Sequence, residues 1–154
     1  MAGAGTTGDG PVGIRSGGSG PWNDDAEMTT PIAPVLVVDD QAPFRAIARQ
    51  VVELTPGFAV VGEAESGEDA VRLAAELSPQ VVLMDINMPG ISGIEATRQI
   101  VAAEPSIAVV LLSTYRESDL PADALECGAR RYVHKEDFEP GVLFEVIGDR
   151  PFPG

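Results

Sequence analysis

The stretch VVLMDINMPG, residues 81–90, decides how the chain folds. It opens with consecutive apolar residues and no polar alternation, which is typical of a strand buried on both faces of a sheet. The run ends in a carboxylate, Asp85, and the residues after it include Asn87 and Pro89, which favour a turn. A core strand therefore delivers an acidic side chain to its own carboxyl end.

Four other apolar runs share this pattern, and amphipathic segments with helical spacing lie between them. Ser66 and Ser92 are expected to cap the second and third helices, and Gly128 to end the fourth. Strands without polar alternation that alternate with helices predict an α/β fold, a five-stranded parallel sheet that is doubly wound. The predicted strands are residues 33–40, 58–64, 81–85, 107–113 and 130–135, and the predicted helices are about 43–55, 66–78, 92–103, 121–127 and 139–147.

The chain is strongly acidic, with 24 acidic residues against 10 basic ones and a net charge of −14 over 154 residues. Such a surface repels the phosphates of nucleic acids and favours metal cations or basic patches on partners. The single cysteine, Cys127, excludes an internal disulfide. No apolar run approaches the roughly 18 residues of a membrane span, and no signal-peptide core is visible. We expect a cytoplasmic protein that binds neither nucleic acid nor membrane by itself.

Composition divides the chain into three parts. Residues 1–33 are rich in Gly, Pro, Ser and Thr and lack periodicity, so we expect a disordered N-terminal tail. Residues 34–148 carry the alternating pattern and form the predicted domain. Residues 149–154 are expected to be a short C-terminal tail.

Five polar residues stand at the predicted carboxyl ends of four strands. They are Asp39 and Asp40 after the first strand, Asp85 after the third, Ser113 after the fourth and Lys135 after the fifth. Ligands bind beyond these strand ends in open parallel sheets. Each residue alone has an ordinary explanation, such as a helix cap, a turn former or a solvated cation, but their joint placement predicts a site.

Three carboxylates at one sheet edge raise one another's pKa unless a cation joins them. Oxygen ligands favour Mg²⁺, with Mn²⁺ as the alternative. Lys135 is the only lysine in the sequence, and its ammonium can meet a phosphoryl oxygen as a point charge. With the Ser113 hydroxyl, this set predicts phosphoryl transfer onto Asp85. His134, the only histidine, is expected to face away from the site because strand neighbours point to opposite faces, so we interpret it as structural.

Four segments resemble the receiver domain of two-component response regulators, the CheY-like family. They are VVDD (37–40), VLMDINMPGISG (82–93), LLST (111–114) and GARRYVHK (128–135). Their order and spacing are also similar to that family, and the resemblance covers about residues 35–148. It implies the flavodoxin-like (βα)5 receiver fold.

The resemblance implies that Asp85 is the phosphoacceptor and that a sensor histidine kinase is the donor. It further implies that Asp40 and Asp85, with the main-chain carbonyl of Asn87, ligate Mg²⁺. Asp39 would help directly or through water.

The remaining roles also come from the resemblance. Lys135 would contact the phosphoryl group, Ser113 would be the switch hydroxyl, and Tyr132 would be the aromatic residue that changes rotamer with it. Two positions depart from the family pattern. Thr114 stands where alanine or glycine is usual, so it could crowd the site, and Glu136 stands where many receivers have proline.

The output of this domain is left open by the sequence. STYRESD (113–119) and GARRYVHKED (128–137) resemble receivers of regulators that carry a helix-turn-helix domain, yet only GDRPFPG follows Ile147. The chain is therefore expected to be either a stand-alone receiver or a regulator whose output domain is missing. The face of the fourth helix, fifth strand and fifth helix usually carries output in this family, and dimerisation on phosphorylation is left open.

Two other classes of protein are alternatives to a signalling domain. A Mg²⁺-dependent aspartyl-phosphate phosphatase also uses a strand-end aspartate but carries a second acid two residues later, where Asn87 cannot shuttle a proton. A flavin-binding domain would need a phosphate cradle after the first strand, where Asp39 and Asp40 would repel the phosphate. We therefore expect a phosphoacceptor with self-phosphorylation and autodephosphorylation as its only chemistry, and not an enzyme.

Overall fold

Five parallel strands form one sheet in the computed structural model, which describes residues 32–148. The strands are β1 (Ala33–Val38), β2 (Phe58–Ala64), β3 (Val81–Asp85), β4 (Ala108–Ser113) and β5 (Arg131–His134). The α-helices are α1 (Ala42–Glu53), α2 (Gly67–Leu77), α3 (Gly93–Ala103) and α4 (Pro140–Gly148). In space the strands follow the order β2-β1-β3-β4-β5. The predicted doubly wound parallel sheet is confirmed.

Apolar side chains cover the sheet on both faces. Alternate residues of β1 point to opposite sides, so that Leu36 and Val38 pack with α2 and α3, whereas Val35 and Val37 pack with α1 and α4. β3 and β4 are buried along their whole length, as their uninterrupted apolar sequences predict. The sheet is thus packed on both faces, and this packing holds the polar groups at its strand ends in fixed positions.

The strand register brings two acids together at the carboxyl edge. Val38 pairs with Met84 across β1 and β3, so Asp39 and Asp85, the residues that follow, leave the sheet side by side. The chain passes from β1 to β2 on one side and then crosses back to β3 on the other. Sheets with such a reversal have a crevice at the carboxyl ends of the two strands, where ligands bind.

The predicted helix caps are confirmed. The Ser66 hydroxyl accepts the N–H of Asp69 at 3.1 Å, and the Ser92 hydroxyl accepts the N–H of Glu95 at 3.2 Å. Each bond satisfies a main-chain donor that the first helical turn would otherwise leave free. Gly128 adopts a φ of 100°, a left-handed conformation that suits glycine at the end of a turn.

The predicted fourth helix is wrong in type. Ala122–Leu125 form a 3₁₀ turn instead of an α-helix, with the N–H of Ala124 bonded to the carbonyl of Pro121. Pro121 and Gly128 leave too few residues between them to offset the cost of nucleating an α-helix, and short segments of this kind favour 3₁₀ geometry. The described residues therefore contain four α-helices.

Most of the predicted tails, residues 1–31 and 149–154, lie outside the described residues. Ala33 already belongs to β1, so the fold begins one residue before the predicted domain. Between residues 32 and 148, no helix is long and apolar enough to cross a membrane.

Gly93, the first residue of α3, lies against the end of β3. A Cβ atom at this position would stand 1.9 Å from the carbonyl oxygen of Asp85. The N–H of Gly93 donates to the carbonyl of Ile86 at 2.8 Å, which fixes this close approach. Only glycine allows the helix to begin so near the strand end that carries Asp85.

Replacing Gly93 by alanine should therefore destabilise the protein by about 1–3 kcal/mol, because the added methyl group forces backbone to move. Gly141→Ala is the matched control, since its Cβ would meet only the flexible Glu139 carboxylate, at 3.1 Å. That variant should stay within about 1 kcal/mol of the parent. Urea unfolding of both variants checks this, and equal stabilities would contradict the tight contact at Gly93.

Candidate functional site

Three carboxylates converge at the carboxyl edge of β1 and β3. Asp39 and Asp85 are 1% and 7% exposed, whereas Asp40 is open to solvent. One oxygen of each of the three lies within 4.8 Å of the others. Within residues 32–148, no other set of three acidic, histidine or cysteine side chains is close enough to share a metal ion. The oxygen donors suit a hard divalent cation.

Lys135 lies against two of these acids. Its Nζ is 2.7 Å from Oδ2 of Asp39 and 3.4 Å from Oδ1 of Asp85, and its side chain is 14% exposed. The same Nζ lies 4.5 Å from the centre of the Phe44 ring, a cation–π contact that the sequence did not suggest. β5 ends at His134 and Lys135 opens a 3₁₀ turn, Lys135–Asp137, so the lysine leaves the sheet just beyond the strand end.

The charges of the site are unevenly balanced. Burial raises the pKa of Asp85 to about 6, and repulsion from Asp39 adds to this effect, while Lys135 partly opposes it. Burial alone lowers the pKa of Lys135, but its bonds with Asp39 and Asp85 outweigh burial and raise the pKa above its ordinary value. The lysine therefore stays charged, and Asp85 is the acid whose ionisation the surroundings resist.

Asp39 is held from several directions. Its Oδ1 accepts the N–H of Gln41 at 2.8 Å, and its main-chain carbonyl accepts a guanidinium N–H of Arg45 at 2.7 Å. Arg45 is itself oriented by Glu63 at 3.3 Å. Because its two carboxylate oxygens already bond Gln41 and Lys135, Asp39 is anchored, and the exposed Asp40 is freer to meet an incoming ion.

Ser113 is buried at the end of β4. Its Oγ accepts the N–H of Tyr115 at 3.0 Å. A hydroxyl that accepts one hydrogen bond can still donate its own proton, so Ser113 retains a donor for a ligand. Thr114, the next residue, is exposed.

Tyr115 is a residue that sequence reasoning missed. Its hydroxyl accepts the side-chain amide of Asn87 at 3.0 Å, its carbonyl accepts the hydroxyl of Tyr132, and its N–H reaches Ser113. Three residues singled out from the sequence are thereby linked through a fourth. The only local signal was an aromatic residue in the loop after β4, which does not by itself indicate a role.

His134 is half-buried between two loops of the site and bonds both of them. Its Nε2 is 3.0 Å from the carbonyl oxygen of Thr114, and its Nδ1 accepts the N–H of Glu136 at 3.1 Å. In these two bonds the imidazole contacts main-chain atoms and none of the three carboxylates. It connects the loop after β4 with the turn that begins at Lys135.

The sequence model described as the response regulator receiver domain matches residues 35–147. The chain belongs to this family. The predicted resemblance is thereby confirmed, and with it the receiver fold and its place among two-component response regulators. Receiver domains generally bind Mg²⁺ through acidic residues, and this receiver domain holds a suitable group of three.

Relatives of this receiver domain are longer proteins. Response regulator GacA of Pseudomonas aeruginosa is 44% identical over 101 residues, which are 66% of this chain and 47% of that protein. The transcriptional regulatory protein DegU of Brevibacillus brevis is 37% identical over 113 residues, 73% of this chain and 48% of that protein. The chain thus spans about half the length of these curated relatives.

Solved structures of receivers superpose on the chain. A two-component response regulator of the LuxR family from Aurantimonas is 34% identical with a TM-score of 0.68, covering 79% of this chain and 89% of that one. The signal receiver domain of the response regulator NarL from Mycobacterium tuberculosis is 28% identical with a TM-score of 0.72, covering 78% and 99%.

Amine labelling checks the environment of Lys135 in this receiver domain. The ammonium is mostly buried and paired with Asp39 and Asp85, so it should acylate at least about tenfold more slowly than a solvated lysine. Ala102→Lys supplies the reference, because residue 102 is exposed on α3. Peptide mass spectrometry after limited labelling measures both rates, and denaturation should make them equal. Rapid native labelling of Lys135 would place it outside the acidic cluster.

The raised pKa of Asp85 predicts a pH-dependent effect of Asp85→Asn on stability. Because the folded-state pKa is about 6 against an ordinary 3.8, ionised Asp85 weakens the metal-free fold increasingly as pH rises from about 4 to about 6. The variant should be more stable than the parent above pH 6 by about 1 kcal/mol, since solvent screens part of the effect, and the difference should vanish near pH 4. Urea unfolding with chelator measures it; a difference that does not change with pH would contradict the shift.

Proposed function

We propose that Asp85 accepts a phosphoryl group from a sensor histidine kinase in a Mg²⁺-dependent reaction, and that the domain then changes conformation to control an output partner. One observation carries the proposal: a strand-end carboxylate lies beside two further acids and 3.4 Å from the only lysine of the chain. Phosphoryl transfer requires a nucleophile and positive charge around the phosphoryl oxygens, and a carboxylate beside an ammonium supports this reaction.

Asp85 supplies the nucleophile. One of its carboxylate oxygens forms the new bond to phosphorus, while the bond between phosphorus and the nitrogen of the donor histidine breaks. The Lys135 ammonium already lies at this carboxylate, so a small movement brings it to a phosphoryl oxygen as a charge-assisted donor. Ser113 donates its free hydroxyl proton to the same group.

The oxygen donors of the site fit a magnesium ion. We assign its direct contacts to Asp40, Asp85 and the main-chain carbonyl of Asn87, with Asp39 contributing directly or through water. A cleft of about 330 Å³ lined by Asp40, Asn87 and Ser92, among others, leaves room beside these donors. A bound Mg²⁺ would supply positive charge for the phosphoryl oxygens, and Mn²⁺ has the same donor preference.

The switch is assigned to Ser113 and Tyr132. In the structure, the main chain of Tyr115 bonds both side chains. Movement of the Ser113 hydroxyl towards a phosphoryl group therefore disturbs the peptide that also anchors the Tyr132 hydroxyl. This connection gives the two residues a physical reason to move together.

The proposed chemistry stops at self-phosphorylation and autodephosphorylation. An aspartyl-phosphate phosphatase needs an acid two residues after the nucleophile, and here the Asn87 amide donates to the Tyr115 hydroxyl and cannot transfer a proton. A kinase takes its phosphoryl group from ATP, so we place the reaction in the cytoplasm. The output is proposed to be a protein partner or a further domain. A structurally similar protein from Staphylococcus aureus is described as a DNA-binding response regulator of the LuxR family.

Phosphorylation with acetyl phosphate tests the acceptor. The parent protein with Mg²⁺ should give a shifted band on a phosphate-affinity gel, and hydroxylamine should remove it because an acyl phosphate is labile to that nucleophile. Asp85→Asn keeps the size of the side chain but removes the nucleophile, so it should give no shifted band while remaining folded.

Asp123→Asn is the matched control, since Asp123 is exposed in the 3₁₀ turn far along the chain from the acidic cluster. It should be phosphorylated as fast as the parent, and chelation of Mg²⁺ should suppress the band in both. A hydroxylamine-sensitive band of undiminished intensity in Asp85→Asn would exclude Asp85 as the acceptor.

A further inference from the structure

The geometry around the only histidine suggests a role in the reaction beyond packing. We propose that His134 is a positioning residue whose imidazole joins the loops carrying Ser113 and Lys135, and that it does so only as the neutral tautomer protonated on Nε2. The inference rests on the proposed phosphorylation of Asp85 and adds a residue to that machinery. His134 touches neither the acceptor nor the metal donors, so it acts through its neighbours.

The strand that precedes Lys135 is a short edge strand. β5 has four residues and pairs only with β4, as the last strand at its side of the sheet. Ser113 and His134 are the last paired residues of this ladder. Beyond them no strand pairing fixes the loop after Ser113 relative to the turn that begins at Lys135. In the proposed reaction, however, Ser113 and Lys135 must both reach a phosphoryl group on Asp85.

The imidazole supplies the missing connection. Its Nε2 lies 3.0 Å from the carbonyl of Thr114, which follows Ser113, and its Nδ1 lies 3.1 Å from the N–H of Glu136, which follows Lys135. One side chain therefore bonds the residue after the switch hydroxyl and the residue after the site lysine. The relative position of these two functional groups depends on both bonds.

The two partners fix the protonation state. A main-chain N–H can only donate, so Nδ1 must accept and carry no proton; a carbonyl can only accept, so Nε2 must carry one. Protonation to imidazolium would place an N–H at Nδ1 opposite the N–H of Glu136, and that bond would be lost. The connection is complete in the neutral form and half broken in the charged form.

Charged side chains of both loops lie near the ring. His134 lines a cleft of about 590 Å³ with Arg116 from the loop after β4, and with Glu136 and Asp137 from the following turn. α4 contributes only the apolar Val142 to this cleft. One cation and two carboxylates therefore line the cleft beside the imidazole.

Nitrogen NMR observes the tautomer directly. Because the chain has a single histidine, a sample prepared without a histidine tag gives the ¹⁵N signals of one imidazole. Near neutral pH the long-range ¹H–¹⁵N pattern should show Nε2 protonated and Nδ1 as an acceptor. Acidification should shift Nδ1 and the Glu136 amide together. A ring protonated on Nδ1, or a mixture of tautomers like that of free histidine, would overturn the proposal even if every variant failed to fold.

Three variants separate the two bonds. His134→Asn keeps an acceptor near Nδ1 for Glu136, His134→Gln keeps a donor near Nε2 for Thr114, and His134→Phe keeps only the ring. At about pH 7.5, the initial rate of phosphorylation by acetyl phosphate should fall about three- to tenfold in the first two, as loss of one hydrogen bond allows, and further in the third. Thermal melting confirms that each is folded, and equal rates in all three and the parent would overturn the proposal.

The pH profile excludes a merely structural role. Asp85 itself takes up a proton in acid, in the parent and in every variant, so only the difference between profiles is informative. On acidification the parent rate should fall about three- to tenfold further than the rates of the Asn, Gln and Phe variants, because none of these side chains can gain the ring proton that breaks the bond from Glu136. Superimposable profiles would overturn the proposal. Absence of any acyl phosphate in the parent would instead refute the proposed function, and the NMR result would still decide the tautomer.

Discussion

The ion pair of Lys135 with Asp39 and Asp85 is the interaction on which the site depends. Asp39 and Asp85 follow adjacent strands, and their charges repel each other in a largely buried place. Lys135 follows β5, two strands from β3, so its side chain passes the end of β4 to reach both acids at 2.7 and 3.4 Å. A buried ammonium without carboxylate partners would be costly, and so would buried carboxylates without the ammonium. Each makes the other tolerable.

One monovalent cation does not balance three carboxylates, and the pKa of Asp85 shows where the imbalance falls. Asp39 has an anchored carboxylate, Asp40 is solvated, and Asp85 is left with a pKa near 6. A divalent cation at the cluster would favour the ionised, nucleophilic form of Asp85. In the proposed function, metal binding and the reactivity of Asp85 would therefore be coupled through charge alone.

The sequence predicts the strands and the strand-end residues well because both follow from local pattern. The uninterrupted apolar run before Asp85 defines β3, and a parallel sheet then places its end beside that of β1. It could not predict the 3₁₀ turn at Ala122–Leu125, since so short an apolar segment has the same pattern in either helical form. The bonds of Tyr115 and His134 were also beyond reach, because they join loops whose distance depends on the register of β4 and β5 and not on any local pattern.

Those unpredicted bonds have a shared property: each involves main-chain atoms next to a residue to which a role is assigned. Tyr115 bonds Ser113 and Tyr132 through its main chain, and His134 bonds the peptides after Ser113 and Lys135. Ladder bonds fix the strands of a sheet, but the strands end at the residues proposed to take part in the reaction, so the geometry of the site also depends on the loops beyond them. In this chain the net charge of −14 repels free phosphoryl donors as well. In the proposed function, a kinase with a complementary, basic surface would reduce this repulsion, so charge complementarity favours delivery of the phosphoryl group by the partner over delivery by a free donor.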